Sequence, residues 1–254
     1  MIEVCRVSLS YSGHERELEE VDFQVARGEF ASLVGPSGCG KSSLLRIVAG
    51  VLKPLSGGVR IGGRPVLGRA ANVGFVPQDG LLLPWRSVLA NVALPLELAG
   101  AAPAEAGRAA RELLARVGME AYAARLPSAL SGGERQRIAI ARALAGEPEV
   151  LLLDEPFASL DAITREELNL ALQDVWLRTG ATVLLVTHSI AEAVFLSDRV
   201  LVMGEKPGTL LGEVRVDLPR PRTLADLGRA ELAALAGEVR SILVNGGDRS
   251  VQAG

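Results

Sequence analysis

Short apolar runs alternate with longer windows of helical spacing along most of this chain. Residues 30–34, 73–76, 150–153 and 182–186 are apolar nearly throughout, the pattern of strands buried on both faces of a parallel sheet. Windows such as 103–117 and 132–144 carry apolar residues at helical intervals. The alternation predicts an α/β fold with a mainly parallel core sheet. The stretch GGVRIGGRPV at 57–66 alternates about a Gly-Gly turn and predicts a hairpin, hence a small antiparallel β subdomain beside the core. No strand pattern occurs between Pro84 and Pro148, so that block is expected to be an inserted α-helical subdomain. After Pro219 and Pro221, Leu224, Leu227, Leu232, Leu235, Val239, Ile242 and Leu243 fall near one helical face and predict a C-terminal amphipathic helix. Its polar, glycine-rich end, NGGDRSVQAG, is expected to fray.

Composition narrows the class without naming it. The 254 residues are 48% hydrophobic and 22% charged, as in a soluble globular protein with one large domain and an inserted subdomain. A formal net charge of -3 gives no overall electrostatic reason to bind nucleic acid or anionic lipid. Cys5 and Cys39, the two cysteines, are too far apart to suggest a metal cluster, and nothing before Cys5 reads as a leader. A reducing, cytosolic compartment is expected. The most apolar long window, 81–104, is interrupted by Arg86, Asn91 and Glu97 and by Pro84, Pro95 and Pro103, so no transmembrane helix is expected there.

The chemistry sits in the loops that follow the apolar runs. In LVGPSGCGKSSLL, 33–45, the residues Gly35, Gly40, Lys41 and Ser42 satisfy GxxxxGK[ST] between an apolar strand and an apolar helix. The glycines let bare amides approach a phosphate without a Cβ clash, and the helix N-terminus favours the negative charge. The nest comprises Gly35, Pro36, Ser37, Gly38, Cys39, Gly40, Lys41, Ser42 and Ser43. Lys41 would neutralise the β- and γ-phosphates, and the Ser42 hydroxyl would coordinate Mg²⁺. A second strand ends in EVLLLDEP, 149–156. Asp154 suits the outer shell of Mg²⁺, and Glu155 could accept a proton from the attacking water; a pair of solvated acids is the plain alternative. TVLLVTHS, 182–189, places His188 at the end of a third such strand, where open α/β sheets bind ligands.

The run ALSGGERQRIAIARALAGEPEVLLLDEPFASLD, 129–161, resembles the signature motif, second nucleotide motif and following loop of ATP-binding cassette (ABC) ATPases. With Tyr11, the phosphate loop, Gln78 in FVPQDG and His188, the resemblance runs in order over about residues 2–219. It implies the P-loop ABC ATPase fold, with ATP and Mg²⁺ as cofactors. On this resemblance, residues 1–84 are the nucleotide-binding core with its β subdomain, and 85–148 the helical subdomain with the signature. Residues 149–219 are the second part of the core, and 220–254 the C-terminal helix and tail.

The resemblance also implies roles. Two subunits, identical or paired, would meet head to tail, so that Ser131, Gly132 and Gly133 of one face the γ-phosphate held by Lys41 of the other. Asp161 would communicate across that interface. Gln78 would sense Mg²⁺ and the attacking water, His188 would contact the γ-phosphate, and Tyr11 would stack on adenine, or else simply pack. Ser131 and Glu134 also fit a helix capping box. Glu134 stands where glutamine is commonest in the family, and Cys39 lies inside the phosphate loop. Both departures are tolerable: a glutamate suits the positive end of a helix, and a small thiol leaves the nest intact.

A chain of this kind is expected to be peripheral on the inner face of a cell membrane. Its partners would be a polytopic permease and, through it, a solute-binding protein. The segment 81–100 with Trp85 would receive a cytoplasmic helix of the permease, or else be internal core. LLPW at 82–85 and VDLPRPR at 216–222 look like importer ATPases of the nitrate, sulfonate and taurine group. The competing class is a soluble ABC ATPase acting on DNA, on ribosomes or in cluster assembly. Against it, 42–131 lacks the sustained heptads of chromosome-type relatives. Arg135, Arg137 and Arg142 could form a phosphate-binding face, but Glu134, Glu147 and Glu149 nearby favour an ordinary mixed surface.

Overall fold

The computed structural model describes residues 1–11, 15–68, 70, 72–158 and 160–251, with side chains described as far as residue 246. Along the chain run β1 (Ile2–Ser10), β2 (Arg16–Val25), β3 (Phe30–Val34), α1 (Lys41–Val48), β4 (Ser56–Ile61), β5 (Arg64–Pro65), β6 (Val73–Val76), α2 (Val88–Leu98), α3 (Pro103–Arg116) and α4 (Gly132–Leu144). There follow β7 (Val150–Asp154), α5 (Ala162–Thr179), β8 (Thr182–Thr187), α6 (Ile190–Leu196), β9 (Arg199–Met203), β10 (Leu210–Arg215) and α7 (Ala230–Val251). The chain divides into two compact units, Met1–Ala71 with Ala181–Gly254, and Asn72–Gly180. Among the described residues no helix is long and apolar enough to cross a membrane.

In the first unit, β3 and β8 are buried at every position, as their apolar runs require. They pair in parallel with Phe30 opposite Val183 and Val34 opposite Thr187. β9 flanks β3 in parallel and β10 closes antiparallel on β9. Val34, Val200 and Val202 from this sheet pack with Ala193 and Val194 of α6 and Leu232 and Val239 of α7. Burying each of these valine and leucine side chains contributes on the order of 1.5–3 kcal/mol. The predicted hairpin is β4–β5, in an antiparallel sheet of order β2-β1-β4-β5.

In the second unit, β6 and β7 pair in parallel, Val73 opposite Val150 through Val76 opposite Leu153. Helices α2, α3 and α4 enclose their own core of Val88, Val92, Ala106, Ala110, Leu114, Ile138 and Ala141. No strand occurs between residues 84 and 148 among those described. The buried Asn91 organises the preceding loop: its Oδ1 accepts from Leu83 N at 2.7 Å, and its Nδ2 donates to the carbonyls of Leu83, Arg86 and Ser87. Trp85 is held on that loop 74% exposed, so the internal-core reading fails for it.

The C-terminus departs from expectation at both ends. Leu224–Gly228 forms a 3₁₀ turn rather than the start of the helix, because Thr223 and Asp226 close a capping box there. α7 starts at Ala230 and runs through Val251; Ile242 and Leu243 pack on the core and carry the helix past the point where fraying is expected. Residues 252–254 of that expectation lie outside the described residues.

Candidate nucleotide site

In the first unit, β3 delivers the chain into the loop 35–40 and α1 begins at Lys41. Gly40, at φ 94°, caps that helix without a side-chain hydrogen bond, and a Cβ there would lie 2.5 Å from Leu18 Cδ2. A left-handed residue pressed against β2 must be glycine. The first turn of α1 contains no acidic residue, so the positive end of its dipole is offered outward. Lys41 is 4% exposed, and its Nζ donates to the carbonyls of Gly35 at 2.9 Å and Pro36 at 2.7 Å. A buried ammonium held by neutral carbonyls is a cation prepared for an anion. Burial pushes the Cys39 thiol up, with Lys41 at 3.8 Å only partly opposing this, so it is neutral at physiological pH.

Ser43 Oγ donates to Glu17 Oε1 and lies 3.1 Å from the Tyr11 hydroxyl. Tyr11 is 62% exposed; it does not pack in the core, and its ring is available beside the start of α1. His188 is exposed at the end of β8. Because Val34 pairs with Thr187, the phosphate loop and His188 leave adjacent parallel strands at the same end. Thr187 Oγ1 donates to Glu192 Oε2 at 2.6 Å and accepts from Ser189 N at 3.0 Å. These bonds fix the backbone on both sides of His188.

In the second unit, the register Val76 opposite Leu153 does the same for Gln78, Asp154 and Glu155: all follow the carboxyl ends of one parallel pair. Asp154 is 1% exposed. Glu155 has φ 44° just before Pro156. This left-handed backbone costs about 1–3 kcal/mol and turns the side chain out of the strand's alternation. Gln78 is exposed. Its loop is gripped from α4 by Arg142, which donates to Gly80 O at 2.9 Å and Leu81 O at 2.8 Å.

The signature residues begin α4. Ser131 Oγ accepts from Glu134 N at 3.2 Å and Glu134 Oε2 accepts from Ser131 N at 2.7 Å, so the capping box forms. The Tyr122 hydroxyl also donates to Glu134, and Arg125 lies over the Tyr122 ring at 4.5 Å. These bonds, first the Ser131 amide and then the Tyr122 hydroxyl, hold the Glu134 carboxyl below its usual range. At Gly133 a Cβ would lie 2.8 Å from Thr164 Cγ2, so α4 starts against the first turn of α5. Asp161 caps α5, accepting from Thr164 N at 3.0 Å and Thr164 Oγ1 at 2.7 Å, and those bonds hold its carboxyl low.

The arginines of α4 are ties rather than a phosphate-binding face: Arg135 donates to Leu130 O, Arg137 pairs with Glu167 at 2.9 Å, and Arg142 holds the Gln78 loop. Glu17 and Tyr122 carry no sequence signal for these contacts, and Arg142 holds a loop where the sequence suggests a phosphate-binding face.

Residues 18–158 match the ABC transporter family. The aliphatic sulfonates import ATP-binding protein SsuB 1 of Xanthomonas axonopodis pv. citri is 51% identical, covering 83% of this chain and 84% of its own length. The taurine import ATP-binding protein TauB of Pseudomonas aeruginosa is 45% identical over 86% of this chain and 83% of its own. Among solved structures, the dimeric post-hydrolysis state of the ATP-binding cassette MJ0796 with ADP and Pi superposes with a TM-score of 0.77 at 33% identity, covering 86% of this chain and all of that one. The chain belongs to the ABC transporter family, as an ATP-hydrolysing subunit.

Proposed function

We propose that the chain powers import of a small organic or inorganic anion, of the sulfonate, taurine or nitrate kind, from the inner face of a cell membrane. The observation that carries this reading is the 51% identity to a sulfonate import ATPase across most of both chains. Trp85, held out on the loop that Asn91 organises, offers the aromatic anchor for a cytoplasmic helix of a permease.

In this reading, two copies pair around two ATP molecules. Lys41 exchanges the carbonyls of Gly35 and Pro36 for β- and γ-phosphate oxygens, an exchange that needs little new desolvation because the amine is already buried. Bare amides at the start of α1 take the remaining phosphate oxygens, and the Tyr11 ring lies against adenine. Ser42 of the first unit and Gln78 of the second would offer Mg²⁺ the hard oxygens it takes beside phosphates, with Asp154 in its outer shell. Once bound, Mg²⁺ neutralises charge on the transferring phosphoryl group. Glu155 accepts the proton of the attacking water, while His188 donates to the γ-phosphate.

Ser131 and the amides of Gly132 and Gly133 meet the γ-phosphate of the opposing copy. Asp161, occupied as the cap of α5, acts across the interface by holding the position of its loop. Glu155→Gln is expected to retain ATP binding while losing roughly 10²–10⁴ in turnover, measured as phosphate release. Unchanged turnover would contradict the role given to Glu155.

A further inference from the structure

We infer that Arg222 is a positioning residue for hydrolysis, fixing His188 through the short helix α6; the inference rests on the role proposed above for His188. α6 has seven residues, too few for a helix to hold its own shape in water. Its placement depends on what grips its ends. The N-terminal end, next to His188, is tied by Thr187, Ser189 and Glu192. The C-terminal end packs in the core through Ala193 and Val194, and its backbone is gripped by two arginines of the LPRPR stretch.

Arg222 is 2% exposed. Its Nη1 donates to the carbonyls of Val194 at 3.1 Å, Phe195 at 2.8 Å and Ser197 at 2.8 Å, and its Nη2 to those of Val216 at 3.2 Å and Leu218 at 3.3 Å. Arg220 adds the carbonyl of Leu196 at 2.6 Å and pairs with Asp198 at 2.8 Å. Asp198 Oδ2 in turn accepts from Phe30 N at 2.9 Å, at the head of β3. Each carbonyl from 194 to 197 thus receives a donor, and the cations stand at the negative end of the helix. The same knot reaches the strand that leads to the phosphate loop.

Burial, with Arg220 beside it, pushes the Arg222 guanidinium down to about 10, so it stays charged at neutral pH. Burying a charge is costly, and a neutral residue would suffice merely to fill space. What the charge provides here is one rigid fork bonded at once to the end of α6 and to the segment after β10. Release of that fork frees the last turn of α6, and with it the orientation of the Ser189 end. A displacement of about 1 Å at a catalytic group costs on the order of 10²-fold in rate.

The test is a double-mutant cycle on the full chain, assayed well below the melting temperature of each variant. ATP affinity is read by calorimetric titration with ATP and turnover by phosphate release. Arg222→Met is expected to lower kcat about 10- to 10²-fold with ATP affinity nearly unchanged, and to cost nothing further in a His188→Ala background. Arg222→Lys, which keeps the charge but not the fork, is expected to lose part of kcat; it carries the test if the methionine variant fails to fold. Full kcat in folded Arg222→Met or Arg222→Lys beside a crippled His188→Ala would overturn the inference alone. So would a multiplicative loss in the double variant. Full turnover in His188→Ala would instead remove the role on which the inference rests.

Discussion

Gly208→Ala tests how tightly the β9–β10 turn is seated on the phosphate loop. A Cβ at Gly208 would lie 2.0 Å from the Cys39 carbonyl oxygen and 2.6 Å from Met203 Cε. Reaching ordinary contact, which begins at 3.4 Å, requires the two backbones to part by about 1.4 Å. Met203 can turn its flexible end away; the Cys39 carbonyl is backbone and yields only if its loop or the Gly208 turn moves. If the turn moves, it strains the bonds from Gly208 N to Glu17 O at 2.9 Å and from Glu19 N to Gly208 O at 3.1 Å, worth roughly 0.5–1.5 kcal/mol each. Overpacking strain adds about 1–3 kcal/mol, so the substitution should cost about 2–6 kcal/mol in all. If Cys39 moves instead, part of that cost appears as weaker ATP binding, about tenfold for each 1.4 kcal/mol. The assay pairs urea unfolding with ATP titration, and Gly58→Ala, where nothing lies within 4 Å of the new Cβ, is the neutral control. A Gly208→Ala protein matching wild type in both stability and ATP affinity would refute the reasoning.

Lys41→Met should abolish measurable ATP binding without lowering the unfolding midpoint. It removes a buried charge that bonds neutral carbonyls and a thiol among the described residues, and a large loss of stability would contradict this. Glu134 should show a pH signature. Its folded carboxyl titrates below its unfolded value, so its contribution is complete above about pH 4.5 and is lost as pH falls through the lower folded value. The stability difference between wild type and Glu134→Gln, followed by urea unfolding from pH 7 downward, should therefore shrink only in acid. A difference that grows in acid would reverse the sign.

The legible parts of the fold were those where residue type alone carries the physics. β3, β7 and β8 announce themselves because burial on both faces demands apolar side chains throughout. The phosphate loop is legible because a left-handed turn against Leu18 requires Gly40. β1 is harder to read, since its pairings with β2 and β4 shift register between Val4 and Ser10 and break the alternation. The ties made by Asn91, Arg142 and Arg222 were invisible for another reason: their acceptors are backbone carbonyls, which every residue has, so no pattern of partners appears in the sequence. The strained backbone of Glu155 was hidden likewise, because φ at a non-glycine residue is set by the surrounding chain. At Leu224 the apolar spacing favoured helix, and the Thr223–Asp226 box prevailed locally.

An ATPase that powers import must hold a membrane partner. The most direct measurement is to purify tagged Glu155→Gln protein from gently solubilised membranes, with and without ATP, and identify what stays bound. Recovery of a polytopic membrane protein is the predicted result. Recovery of only soluble proteins, ribosomes or DNA would contradict the importer and leave a soluble ABC ATPase in its place.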